Sequence, residues 1–187
     1  MQPPAADREF LLADEAATAA LAAAVAGCIG PGFVLYLSGD LGAGKTAFTR
    51  ALLRVLGHTG RVRSPTFTLA ETYNLSSFDL YHFDFYRFSS NDEWRDLGFD
   101  EYLGGAGAAV VEWPELGGEA LPLPDLWLRL AVAADAHDDP AGTRRLAALA
   151  ACTERGRQCL TGIADAVCRG RVAGVSSARG SPARPSH

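Results

Sequence analysis

The stretch Ser38-Gly39-Asp40-Leu41-Gly42-Ala43-Gly44-Lys45-Thr46 constrains this chain more than any other. From Gly39 to Thr46 it fits the spacing Gly, four residues, Gly-Lys-Ser/Thr. Glycines let the backbone bend round a phosphate group so that successive N–H groups point at its oxygens. The lysine ammonium then reaches the outer phosphates, and the threonine hydroxyl is a ligand for Mg²⁺. At average glycine usage a chance match is expected in on the order of one chain in a hundred of this length. The flanks agree with the motif. Upstream, Phe33-Val34-Leu35-Tyr36-Leu37 is a short apolar run behind the turn Gly30-Pro31-Gly32, which predicts a buried strand. Downstream, Phe48, Leu52, Leu53, Val55 and Leu56 recur at helical spacing before Gly57, which predicts a helix over 46–56. Strand, glycine loop and helix is the arrangement that phosphate binding requires.

With 187 residues and 48% hydrophobic content, the chain is able to bury a real core. No run approaches the ~18 uninterrupted apolar residues of a membrane span. The start, Met1-Gln2-Pro3-Pro4, has neither the basic region nor the apolar core of a signal peptide. The expected location is cytoplasmic, with no membrane contact. Cys28, Cys152, Cys159 and Cys168 form no Cys-x-x-Cys pair and have no histidines at zinc-ligand spacing, so all four are expected as reduced thiols. Charge divides the chain. Residues 1–142 hold 9 of the 17 Lys+Arg and 20 of the 22 Asp+Glu, a balance of −11, whereas residues 143–187 carry +6. An acidic body is a poor match for a polyphosphate backbone, which argues against tight nucleic-acid binding by the main domain alone.

In chain order, residues 14–26 predict a helix, with Asp14 and Glu15 at its start and Gly27 and Gly30 ending it. The segment Ser64-Pro65-Thr66-Phe67-Thr68-Leu69 suits a phosphate-sensing switch loop and an ordinary turn equally well. Residues 71–73 and 78–85 read as two strands around a polar turn. In the second strand the two-residue period sets Leu80, His82, Asp84 and Tyr86 on one side. Asp84 therefore lies in a strongly aromatic strand and needs a cation or several donors. The plainer alternative is pairing with Arg87 or His82. Ser90-Asn91-Asp92-Glu93 matches a capping box that opens a further helix.

Residues 108–112 are a small apolar strand ending in Glu112, as in proteins whose strand end delivers an acid beside the phosphate loop. Asp84 and Glu112 thus compete for the metal role, and spacing does not choose between them. Prolines 122 and 124 lead into residues 126–132, expected as an edge strand. Residues 133–142 are expected as an exposed loop, residues 144–151 as strand or helix, and the chain from about Gly170 as disordered.

Four segments in this order, Gly39 to Thr46, Ser64-Pro65-Thr66-Phe67-Thr68-Leu69, Tyr81-His82-Phe83-Asp84-Phe85-Tyr86-Arg87 and Glu112-Trp113-Pro114-Glu115, resemble the TsaE (YjeE) family. Those are bacterial ATPases of tRNA threonylcarbamoyladenosine synthesis, and the likeness covers residues 10–150. It implies an α/β, P-loop NTPase-like three-layer sandwich, with a parallel core sheet and antiparallel edge strands. It implies ATP and Mg²⁺ as cofactors and the TsaB and TsaD proteins as partners, with tRNA reached indirectly through their complex. The ATP cycle is then expected to reset that complex rather than to make the carbamoyl bond.

Carried onto this sequence, the resemblance implies that Gly39, Asp40, Leu41, Gly42, Ala43, Gly44, Lys45 and Thr46 hold the phosphates. Thr46 and Glu112 bind the metal, Asp84 supports the metal or the attacking water, and Thr66 acts in the switch loop. Glu15 and Gly142, the latter followed by Arg144, approach the nucleotide. Lys45, Asp84, Glu112 and Thr66 are the expected catalytic set. Residues 1–155 are expected as the ATPase domain and 156–187 as a basic, partly disordered extension without a family counterpart.

Two relatives of this chemistry fit the sequence poorly. A GTPase needs an Asn-Lys-x-Asp base reader, and the one lysine is Lys45. A small-molecule kinase needs a lid, and no arginine-rich lid lies between Arg63 and Glu112. The alternatives kept beside the ATPase are that small-molecule kinase and a nucleotide-sensing module with negligible turnover.

Overall fold

The computed structural model describes residues 1–88, 90, 93–133 and 142–178. Eight strands form one sheet in the order β3-β4-β5-β2-β6-β7-β1-β8. In chain order they are β1 (Arg8–Leu12), β2 (Val34–Ser38), β3 (Ala70–Asn74), β4 (Asp79–Asp84), β5 (Ala108–Glu112), β6 (Leu126–Val132), β7 (Arg145–Ala151) and β8 (Val175–Ser177). The four central strands, β4, β5, β2 and β6, run parallel; β3 on one flank and β7, β1 and β8 on the other are antiparallel. A mostly parallel α/β sheet with antiparallel flanks is the fold class the sequence implies.

Alternation along the strands divides the core in two. Leu35 and Leu37 of β2 point to one face and Val34 and Tyr36 to the other, all five residues of the strand being buried. The first face is covered by α1 (Glu15–Ala26), α2 (Lys45–Val55) and α4 (Glu154–Cys168). Their apolar stripes, including Leu21, Val25, Phe48, Leu52, Leu160 and Ile163, meet Leu128, Leu130 and Leu149 of the sheet. The opposite layer is thinner. It consists of α3 (Glu93–Asp96) and short 3-10 turns at Phe99–Glu101 and Pro114–Gly117, which bring Trp94, Phe99 and Leu116 against Phe83 and Phe85. Asp14 caps α1 with a 2.8 Å bond from the Ala17 N–H, and Thr153 caps α4 through the Gly156 N–H at 3.1 Å.

Several expectations are changed or decided. Strand β6 is interior, between β2 and β7, since Leu126, Leu128 and Leu130 on one side and Trp127 on the other are all buried; the prolines before it start the strand and do not mark an edge. Residues 144–151 resolve as a strand, β7. The division at residue 155/156 runs through α4, which supplies Cys159, Leu160, Ile163 and Val167 to the core, and β8 then pairs with β1 from Val175 opposite Leu12 to Ser177 opposite Phe10. Disorder from Gly170 therefore does not apply to residues 170–178; residues 179–187 lie outside the described residues. Finally, Cys28 and Cys159 are paired as a disulfide rather than free, joining the end of α1 to α4 with their Cα atoms 5.5 Å apart. Their separation of 131 residues hides this pairing from any spacing rule. Asn91 and Asp92 of the capping box, and residues 134–141 of the expected loop, lie outside the described residues. No described helix is long and apolar enough to cross a membrane.

Candidate functional site

The site forms where parallel strands end. On the helix-covered face, β4 runs Leu80, His82, Asp84 and β5 runs Ala108, Val110, Glu112, with Asp84 opposite Glu112 in register. Each strand thus finishes its apolar row with a carboxylate at its C-terminal end, the edge where ligands of open α/β sheets bind. Next to them β2 ends at Ser38 and the chain enters the glycine loop. Gly39 has φ 134°, and a Cβ there would run into the Leu130 carbonyl of β6, so only glycine fits this close approach. Gly44, at φ 106°, caps the start of α2, so the helix N-terminus lies at the end of the glycine loop.

Lys45 is only 5% exposed. Its ammonium donates to the carbonyls of Gly39 at 2.6 Å and Asp40 at 3.1 Å. It also lies over the Trp113 ring, 3.7 Å from the centroid. Trp113 has φ 59°, a left-handed conformation that is strained for a bulky side chain and that holds the ring beneath the lysine. Burial pulls the Lys45 pKa below its ordinary value, against the upward pull of Glu112, Glu115, Asp84 and Asp40. Burial also pushes the neighbouring Glu115 carboxyl upward.

The two carboxylates have different partners. Asp84 Oδ2 accepts from the Ser64 hydroxyl at 2.5 Å and the Thr66 hydroxyl at 2.9 Å, and Oδ1 accepts from the Tyr86 N–H at 3.0 Å. Three donors offset the loss of water that the strand imposes. They replace the pairing with Arg87 or His82 that the plainer reading expected. Asp84 thereby ties residues 64–66 to the strand end, and the Asp84 N–H donates to the Leu69 carbonyl at 3.1 Å to close the same loop. Glu112 instead receives the Thr46 hydroxyl on Oε2 at 3.2 Å and meets His82 Nε2 through Oε1 at 2.8 Å. Of the two acids, Glu112 is the one placed against the threonine of the glycine loop.

Two cavities flank that loop and share Gly42, Gly44 and Ala47. One, of about 310 Å³, is lined by Lys45, Thr46, Ser64, Thr66, Asp84 and Glu112, among others. The other, of about 370 Å³, is lined by Glu15, Thr18, Gly142, Thr143 and Arg145. Residues 12–145 match the family model described as threonylcarbamoyl adenosine biosynthesis protein TsaE. This chain belongs to the TsaE family.

Its relatives include the tRNA threonylcarbamoyladenosine biosynthesis proteins TsaE of Haemophilus influenzae, 42% identical over 57% of this chain and 65% of that one, and of Bacillus subtilis, 48% identical over 63% and 73%. The chain thus spans slightly under two thirds of the Haemophilus protein. Among solved structures, Bacillus subtilis YdiB superposes with a TM-score of 0.70 at 34% identity, covering 84% of this chain and 93% of that one. The family acts in tRNA threonylcarbamoyladenosine biosynthesis.

In this TsaE-family chain the expected residues divide between the two cavities. Lys45, Thr46, Thr66, Asp84 and Glu112 meet in the first; Glu15 and Gly142, distant in sequence, meet in the second; Leu41, Gly42 and Gly44 edge the first, and Ala43 the second. Gly39 and Asp40 turn their carbonyls to Lys45 and line neither. Arg145 reaches the loop, its Nε donating to the Ala43 carbonyl at 3.2 Å and its Nη1 to the Gly142 carbonyl at 2.7 Å. Ser64, Tyr86, Trp113, Thr18 and Thr143 also line these spaces. Ser64, Tyr86 and Trp113 were legible through their places in the segments that carry the resemblance; Thr18 and Thr143 lie in no such segment.

Proposed function

We propose that this chain is an ATPase that acts with TsaB and TsaD in forming threonylcarbamoyladenosine on tRNA, its ATP cycle resetting their complex for repeated turnover. The observation that carries this reading is the meeting of Lys45, Thr46, Glu112 and the Asp84-anchored residues 64–66 around one cavity at the mouth of the glycine loop. On this reading the triphosphate lies along residues 39–46. The Lys45 ammonium exchanges its two carbonyl partners for phosphate oxygens, and the adenosine end occupies the cavity lined by Glu15 and Gly142. The 310 Å³ cavity is of the small-ligand order.

The donor set fits Mg²⁺. Among the described residues no cluster of three or more His, Cys, Asp or Glu side chains makes a dedicated metal cage. The Thr46 hydroxyl and the Glu112 carboxylate are hard oxygen donors 3.2 Å apart, the sparse protein contribution typical of a magnesium ion that keeps waters and substrate phosphates as its other ligands. When bound there, Mg²⁺ neutralises charge on the phosphoryl oxygens. Asp84 and Thr66 hold residues 64–66 against the phosphate end, where a hydroxyl or backbone group senses the third phosphate and the Asp84 carboxylate orients the attacking water. No covalent chemistry by the protein is needed; position and charge supply the catalysis. The pathway implies the cytoplasm, and tRNA is reached through the partner complex.

The test is reconstitution. With purified TsaB, TsaD, a threonylcarbamoyl donor, ATP and tRNA, this chain should convert single-round modification into many rounds, and Glu112→Ala should weaken Mg²⁺-dependent hydrolysis more than nucleotide binding. Equal modification with and without the chain would overturn the proposal.

A further inference from the structure

We propose that His82 is a positioning residue of this site, whose Nε2–H fixes Glu112 Oε1 and so aims Oε2 at Thr46 and the cation. The inference rests on the reading of Glu112 as the cation's protein ligand. It begins with the strand register. His82 lies opposite Val110, one side-chain step below the rung where Asp84 faces Glu112, and on the same face of the sheet. The imidazole therefore sits beneath the Glu112 carboxylate, 2.8 Å away, with side-chain exposures of 0% for His82 and 3% for Glu112. An ionised carboxylate has no hydrogen to give, so the imidazole nitrogen is the donor.

Packing alone does not account for this residue. Its neighbours along that face of β4 and β5 are Leu80, Ala108 and Val110, all buried, and a leucine or phenylalanine continues such a row at lower cost than a polar ring. Nor does a wider polar network account for it, because Nδ1 is buried and has no partner among the described residues. Among the described residues, the contact with Glu112 is the one hydrogen bond that burial of this ring secures.

The final torsion of a glutamate side chain is broad and nearly two-fold, so a carboxylate held at one oxygen only by a threonine 3.2 Å away is free to rotate. Holding Oε1 from below removes that freedom before any ligand arrives. Residues that orient a metal's protein ligand in this way typically change metal affinity by 10–100-fold when replaced.

The experiment compares the binding of ADP by calorimetry in Mg²⁺ and in EDTA for wild type, His82→Leu and His82→Gln, alongside melting temperatures without nucleotide. The gain in affinity that Mg²⁺ brings should shrink by roughly 10–100-fold in His82→Leu. Affinity in EDTA should hold. His82→Gln, which keeps an amide donor near the Nε2 position, should recover most of the gain; should His82→Leu not fold, His82→Phe removes the donor while keeping a ring. A full Mg²⁺ gain in the donor-less variants overturns the inference, and so does an equal loss in Mg²⁺ and EDTA, which marks a merely structural role. A gain that vanishes in Glu112→Gln yet survives in His82→Leu removes this inference alone; absence of any Mg²⁺ gain in wild type removes the reading of Glu112 with it.

Discussion

Replacing Lys45 with methionine keeps most of the apolar length of the side chain and removes its charge, which separates what the lysine does for the fold from what it does for a ligand. The ammonium is buried, with two backbone carbonyls and a tryptophan face as its contacts. Burial lowers its pKa in the folded chain despite four nearby carboxylates. Between that lowered value and the ordinary 10.5, the folded protein binds fewer protons than the unfolded chain, so stability rises with pH across this window. Below that window, where the lysine is charged in both states, the charge is a net cost to folding. Lys45→Met should therefore melt at the same temperature or higher, each 1 kcal/mol being about 2–4 °C for a chain of this size.

Phosphate binding changes in the opposite direction. Two charge-assisted hydrogen bonds from ammonium to phosphate are worth about 1.5–3 kcal/mol each. Their loss, about 3–6 kcal/mol together, weakens binding by roughly 10²–10⁴-fold. Calorimetry with a non-hydrolysable ATP analogue, paired with thermal denaturation, reads both quantities. A melting temperature lowered by more than about 4 °C, or an affinity changed by less than tenfold, would refute the reasoning.

Two further outcomes follow from groups near and far from this site. Burial raises the Glu115 carboxyl above its usual 4.5, so the folded state retains its proton longer than the unfolded chain, and stability should fall as pH rises through the range just above 4.5. Glu115→Gln should flatten that fall in pH-dependent melting, and an unchanged slope would show that another group produces it. The disulfide between Cys28 and Cys159 closes a loop of 131 residues, for which chain entropy gives a contribution of about 5 kcal/mol. Reductant or Cys159→Ser should lower the denaturant midpoint accordingly, and identical midpoints with and without reductant would show that the thiols are open in solution.

How much of this was legible in the residues depended on whether the information was local. The glycine loop announced itself because phosphate binding dictates residue types at consecutive positions, and its flanking strand and helix emerged within a residue or two of their predicted limits. Asp84 and Glu112 were also found, since a carboxylate closing an apolar strand is a local anomaly. Their hydrogen-bond partners were not, because those depend on strand register: adjacency of β4 and β5 sets the two acids side by side, where Thr46 meets Glu112 while Ser64 and Thr66 meet Asp84. His82 was visible as a polar residue in an apolar row, yet its partner lay 30 residues away on the next strand.

The residue order by itself therefore determined that a glycine loop forms between a buried strand and a helix, and which side chains are chemically suited to surround it. Tertiary structure decided which of those side chains touch. It also placed β6 inside the sheet, recruited α4 and β8 into the core and joined Cys28 to Cys159. Those outcomes rest on contacts between segments far apart in the chain, whose pairing follows from burying every apolar face at once and leaves no mark on the local pattern of any one segment.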